Sequence, residues 1–231
     1  MFYTRTGGGR LQRPGSRLLR LSVSFMSDVE GFILTGGASS RMGTEKARLS
    51  LGGLTFIERI AGALRAITPD LRAVSARTES FNLNLPVVPD IHHDCGALGG
   101  LHAALRACRA PWAAIVSCDL PFVTGELFVR LCELRTQETD AVAPLQTDGR
   151  PQPLCALYSP AGCLERVERL LQEGERRPRA LLRQVRTRWV AHTELDDLRD
   201  AGLFFMNVNT PEDYSSALER VGESRSDEDK G

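Results

Sequence analysis

Apolar residues along this chain alternate between short unbroken runs and stripes spaced three and four apart. Gly31–Thr35 is a short apolar run that meets Gly36-Gly37, which predicts a buried strand entering a turn. Leu71–Ala76 and Val87-Val88 read as further short strands. Trp112–Ser117 is almost wholly apolar and ends at Asp119, as in a central strand covered on both faces. Asp140–Ala143, Leu154–Tyr158 and Thr187–Ala191 complete the strand set. Helical stripes lie between them. Thr55-x-x-Glu58 is a capping box opening a helix whose face is Phe56, Ile57, Ile60, Ala61 and Leu64. Leu98, Leu101, Leu105 and Cys108 share a second face. Leu127, Phe128, Leu131 and Leu134 share a third, with Thr124 as N-cap. Ser159-Pro160 opens a fourth helix that stops at Gly174, and Thr210-Pro211 opens the last.

Strand and helix in alternation predict an α/β domain, a mostly parallel sheet with helices on both faces. Open sheets of this kind bind ligands at the carboxyl ends of their strands. Chemistry is therefore expected in the loops after residues 35, 76, 88 and 118.

Composition narrows the class. The formal net charge of zero disfavours a nucleic-acid binder. No apolar run reaches the roughly 18 residues of a membrane span. The six cysteines, at 95, 108, 118, 132, 155 and 163, have neither Cys-x-x-Cys nor zinc-finger spacing and read as reduced, mostly buried hydrophobes of a cytoplasmic protein. Residues 1–27 carry five arginines and a glycine triplet and no acid, and read as a disordered extension, or upstream sequence ahead of a truer start at Met26, in preference to a transit-like presequence. One domain is expected over 28–220, with a charged, disordered tail over 221–231.

The chemistry concentrates in Leu34-Thr35-Gly36-Gly37-Ala38-Ser39-Ser40-Arg41-Met42-Gly43-Thr44-Glu45-Lys46. Glycines let the backbone approach a ligand, and successive N–H groups in such a turn favour an anion. Arg41 and Lys46 add two cations, so a triphosphate is the natural occupant. Walker A is excluded because Gly43 is followed by Thr44-Glu45, and the Rossmann fingerprint because the glycine spacing is wrong. The string resembles the signature of the molybdenum cofactor guanylyltransferases, within the nucleotidyltransferases that carry a glycine-rich N-terminal loop. That branch usually has Asp before the lysine, where this chain has Glu45. The resemblance covers roughly residues 30–220 and implies a three-layer, Rossmann-like nucleotidyltransferase fold.

Three later segments fit the resemblance. In Asp90-Ile91-His92-His93-Asp94-Cys95-Gly96-Ala97-Leu98-Gly99-Gly100, the family has an Asp followed by Gly-Pro-Leu-x-Gly beside the nucleotide. Asp90 takes that position most naturally, Asp94 competes, and Ala97 replaces the family's Pro. His92 and His93 read as solvated loop residues ahead of any metal or catalytic role. In Ser117-Cys118-Asp119-Leu120-Pro121-Phe122, an Asp ending a buried strand is costly unless it is paired or holds a cation. The resemblance makes Asp119 the Mg²⁺ ligand, and Mg²⁺ needs only one carboxylate plus substrate phosphates. In Asn207-Val208-Asn209-Thr210-Pro211, both Asn side chains share a side if the segment is extended, and the resemblance puts them near a pterin acceptor.

The expected site is then Leu34, Thr35, Gly36, Gly37, Lys46, Asp90 and Asp119 for nucleotide, Lys46, Arg41 and Asp119 for catalysis, and Asn207 and Asn209 for acceptor. The resemblance implies transfer of GMP from GTP to the terminal phosphate of Mo-molybdopterin. Molybdoenzymes, their chaperones or other cofactor-biosynthesis proteins are the expected macromolecular partners. Two alternatives stay open: a cytidylyltransferase or sugar-1-phosphate nucleotidyltransferase on the same fold, and a non-catalytic GTP-binding accessory domain.

Overall fold

A computed structural model describes residues 28–35, 46–76, 85–90, 92 and 95–228. Its sheet is built from β1 (Val29–Leu34), β4 (Leu71–Ser75), β5 (Val87–Pro89), β6 (Trp112–Ser117), β7 (Ala141–Pro144), β8 (Cys155–Tyr158) and β9 (Thr187–Val190), in the order β5-β4-β1-β6-β8-β7-β9. β5, β4, β1 and β6 are mutually parallel, and β9 is parallel to β7. β8 alone runs the other way, antiparallel to both neighbours. A separate two-stranded hairpin pairs β2 (Ser50–Leu51) with β3 (Leu54–Thr55).

Two features of these strands go beyond the sequence reading. The reversal of β8 follows from its entry: after β7 the chain turns through Gln146–Arg150, with Gly149 at φ 77°, instead of crossing back through a helix. The β2–β3 hairpin turns at Gly52-Gly53, both at positive φ (65° and 88°), as a two-residue turn matching strand twist requires.

Helices cover both faces. α1 (Phe56–Leu64) and α3 (Gly125–Glu133) lie on one, α2 (Gly96–Ala107), α4 (Pro160–Gln172) and the single turn α5 (Arg179–Leu182) on the other. Alternation along β1 supplies both cores. Val29 and Ile33 pack with Ile57, Ile60, Leu64, Leu127 and Phe128, while Phe32 and Leu34 pack with Leu98, Leu101 and Leu105. The predicted caps form. The Thr55 hydroxyl accepts from the Glu58 amide at 3.3 Å, the Thr55 amide donates to Glu58 Oε2 at 2.7 Å, and Thr124 Oγ1 accepts from the Leu127 amide. α6 (Pro211–Glu228) continues as helix beyond residue 221, where composition predicts a disordered tail. A helix already nucleated by packed residues such as Ala217 extends at little cost per residue.

Among the described residues no helix is long and apolar enough to cross a membrane. The cysteines form no disulfide, and burial pushes the Cys132 and Cys163 thiols up to about 12, so both behave as small hydrophobes.

At the amino-terminal edge of the sheet, Asp140 accepts from Arg186 Nε at 2.9 Å and Nη2 at 2.7 Å. These bonds hold its carboxyl below the usual carboxylate range. Because the folded pKa is the lower one, the pair's stabilisation is present above the unfolded value of about 3.9 and is lost as pH falls below it. Asp140→Asn should therefore lower the urea midpoint at pH 7, and the difference from wild type should shrink in unfolding curves taken below about pH 4.

Candidate active site

The exits of β4, β1 and β6 are fastened to one another. The Thr35 amide and hydroxyl both donate to the Val74 carbonyl at 3.0 Å, and the Cys118 amide donates to the Leu34 carbonyl at 2.9 Å. Thr35 and Leu34 are buried, so the chain enters the glycine-rich sequence from a fixed point. Gly36, Gly37 and Arg41 lie outside the described residues, as do His93 and Asp94. Lys46 begins a 3₁₀ turn, Lys46–Arg48, whose Ala47 is fully buried in the apolar cluster that also holds Cys118 and Leu120. The Lys46–Arg48 turn packs against α1.

Asp90 stands at the exit of β5. Its amide donates to the Ser75 carbonyl at 2.9 Å, and its Oδ1 accepts from the His92 amide at 3.0 Å. α2 comes close because it is glycine there. A Cβ on Gly99 would lie 2.8 Å from the His92 carbonyl oxygen and 3.3 Å from Asp90 Oδ1, and one on Gly100 would lie 3.3 Å from Leu34 Cδ2. Those glycines bring Asp90 and Leu34 to one wall. His92 is not simply solvated, as expected from sequence. Its ring meets that of buried His102 edge-on at 4.8 Å. Burial pushes His102 below its ordinary value, outweighing the pull of Glu168, 3.5 Å away, so the ring is neutral near pH 7.

Asp119 follows β6. Its carbonyl accepts from the Val208 amide at 2.9 Å, and its Oδ1 is buried with no hydrogen-bond partner among the described residues. A carboxylate oxygen left so is unfavourable by about 1–3 kcal/mol or more unless a cation takes it up. An oxygen donor of this kind fits Mg²⁺. Among the described residues no three His, Cys, Asp or Glu side chains cluster as a metal set, so further ligands would come from substrate and water. The Val208 bond also brings in the predicted acceptor segment. Val208 is buried, whereas Asn207 and Asn209 on either side of it are exposed.

Two residues escaped the sequence reading. Arg59 of α1 donates from Nε to the Pro121 carbonyl at 3.0 Å and from Nη1 to the Leu51 carbonyl at 3.3 Å. Gln152, 7% exposed, has a buried Nε2 without a partner. It lies just before β8, and the carbonyl of Leu154, the residue preceding that strand, accepts from the Ser117 amide at 2.8 Å. Neither carries a local motif, and only tertiary contacts reveal them.

A glycine-rich sequence after the first strand, with a buried carboxylate oxygen on the adjacent strand exit, fits a nucleotidyltransferase. Comparison with known proteins agrees. Residues 31–191 match the MobA-like NTP transferase domain, and the chain belongs to that family, among the molybdenum cofactor guanylyltransferases. It is 37% identical over 199 residues to a probable molybdenum cofactor guanylyltransferase of Bacillus cereus, covering 83% of this chain and 96% of the relative. A relative of the same description from Pelotomaculum thermopropionicum is 35% identical over 201 residues, covering 87% and 97%. The fold matches the molybdopterin-guanine dinucleotide biosynthesis protein A of Archaeoglobus fulgidus, with TM-score 0.68 at 24% identity over 84% of this chain and 99% of that one. It also matches the 2-C-methyl-D-erythritol 4-phosphate cytidylyltransferase of Thermus thermophilus, with TM-score 0.61 at 17% identity over 84% and 98%.

Gly99→Ala separates helix propensity from site geometry. Propensity alone would stabilise α2 by about 1 kcal/mol. The contact with the His92 carbonyl should instead displace the Asp90 loop. The variant should show no gain in melting temperature and about tenfold weaker nucleoside triphosphate binding by calorimetry, about 1.4 kcal/mol.

Proposed function

We propose that this enzyme transfers GMP from GTP to the terminal phosphate of Mo-molybdopterin, giving molybdopterin guanine dinucleotide and pyrophosphate, with Mg²⁺ held by Asp119. The observation that carries the reading is the buried, unpartnered Asp119 Oδ1 on the strand exit bonded to Leu34, where the glycine-rich turn begins. The names of the guanylyltransferase relatives support the choice of base and acceptor.

In this reading the backbone from Leu34 to Gly37 and the Asp90 loop hold the nucleotide, and Arg41 and Lys46 neutralise its phosphates. Asn207 and Asn209 orient the acceptor. Bound Mg²⁺ would supply charge neutralisation on the phosphate oxygens. The attacking group is a phosphate monoester, whose second pKa near 6 leaves it largely ionised at pH 7. The chain therefore needs no strong general base. Its contribution is alignment of two anions and preorganised positive charge. Product hand-over to molybdoenzymes, their chaperones or other cofactor-biosynthesis proteins completes the proposed role.

Asp119→Ala and Lys46→Ala should each lower turnover by on the order of a hundredfold or more, read as pyrophosphate release with GTP and Mo-molybdopterin. Near-wild-type release in either variant removes the role given to that residue. Comparing kcat/KM for GTP, CTP and UTP tests the base. Equal use of CTP would move the enzyme to the cytidylyl reading, and triphosphate binding without any release would leave a GTP-binding accessory domain.

A further inference from the structure

Arg59 is a cation on α1, a helix that otherwise serves the core through Phe56, Ile57 and Ile60. Its guanidinium bonds two carbonyl groups far apart in sequence. Pro121 lies two residues beyond Asp119, and Leu51 lies five residues beyond Lys46. The group also stands 5.9 Å from the centre of the Phe122 ring, within cation–π range. Pro121 has no N–H, so its carbonyl is the only backbone hydrogen-bonding group by which it can be held. The hairpin turn is fitted closely on the same side. A Cβ on Gly52 would lie 2.9 Å from Val221 Cγ1 and 3.6 Å from Arg59 Nη1.

We propose that Arg59 is a positioning residue. Its planar fork ties the turn carrying Asp119 to the hairpin that follows Lys46, fixing the spacing between metal-binding carboxylate and phosphate-binding lysine. The inference rests on the roles proposed above for Asp119 and Lys46. A guanidinium suits the task because it donates along two directions at once while its centre stands over the Phe122 ring. An ammonium at this position reaches one carbonyl and leaves the other loose. Arg59 touches neither substrate nor metal in this scheme. It acts by holding Asp119 still, as groups supporting metal ligands do elsewhere.

The test is Mn²⁺ binding to the protein in the presence of GTP and absence of acceptor, followed by water-proton relaxation enhancement, with melting temperature measured alongside. Arg59→Lys and Arg59→Gln should weaken Mn²⁺ binding about tenfold. A role confined to stability would lower the melting temperature and leave Mn²⁺ affinity of the folded protein unchanged. Phe122→Leu, which keeps both carbonyl bonds and removes the ring, should weaken binding by about two- to threefold and covers the case in which the Arg59 variants do not fold. Wild-type Mn²⁺ affinity in folded Arg59→Lys overturns the proposal. Where the Arg59 variants do not fold, wild-type affinity in Phe122→Leu overturns it. Asp119→Asn separates the two levels. If it binds Mn²⁺ as wild type does, the metal reading falls and this inference with it. If it loses binding while Arg59→Lys does not, only the Arg59 role fails.

Discussion

The register of β1 between β4 and β6 is the constraint on which the site depends. Gly31 to Leu34 pair with Leu71 to Val74 on one side, and Val29 to Leu34 with Trp112 to Ser117 on the other. All three strands run the same way, so their chains leave the sheet along one edge, and Thr35 and Cys118 fasten that edge by bonds to Val74 and Leu34. A one-residue slip would exchange the faces of Phe32 and Ile33 and break both cores at once. The geometry of the active-site edge is therefore enforced by burial well below it.

That edge is completed by a small third core. Leu51 of the hairpin, Phe56 of α1, Phe122 after β6, and Val208 and Ala217 around the start of α6 pack together. The Tyr214 hydroxyl donates to the Ser50 carbonyl, closing α6 onto the hairpin. Leu51, Phe122 and Val208 adjoin three parts of the proposed site: the chain after Lys46, the turn after Asp119, and the Asn207–Asn209 segment. Apolar packing here sets distances between polar groups that never touch one another. Loosening it should disturb function before it disturbs the large cores, because interfaces with few buried contacts open first.

What was legible in the sequence was whatever a local rule could carry. The apolar run at Trp112–Ser117, the Thr55–Glu58 box and the Thr124 cap each depend on neighbours within a few residues, and each formed. The alternation of elements was enough for a mostly parallel, three-layer α/β fold. Gly52-Gly53 and Asp148-Gly149 are hairpin signals of the same local kind, and reading them would have predicted the β2–β3 hairpin and the reversed strand β8. Arg59 was beyond such rules. Its partner Pro121 is 62 residues away, and a lone arginine on a helix flank looks solvated until the fold brings a carbonyl to it. Gln152 and His102 are similar. Each is polar, buried and incompletely partnered, and burial is a property of the assembled molecule.

The buried oxygen of Asp119 also explains why so much structure converges on one short turn. An unpartnered carboxylate oxygen would normally relax toward solvent or toward a donor, and either movement would spoil it for the metal-binding role proposed above. The turn resists both. Leu120 is buried beside it, the Leu120 amide returns to Ser117, the Val208 amide holds the Asp119 carbonyl, and Arg59 holds Pro121. The backbone is held on several sides while one side-chain atom is left unsatisfied. A nucleotidyltransferase gains from that arrangement, because transfer between phosphates asks the protein mainly to fix charges in place before the reactants arrive. Local instability concentrated at one atom, with rigidity around it, is the form such preorganisation takes in a folded chain.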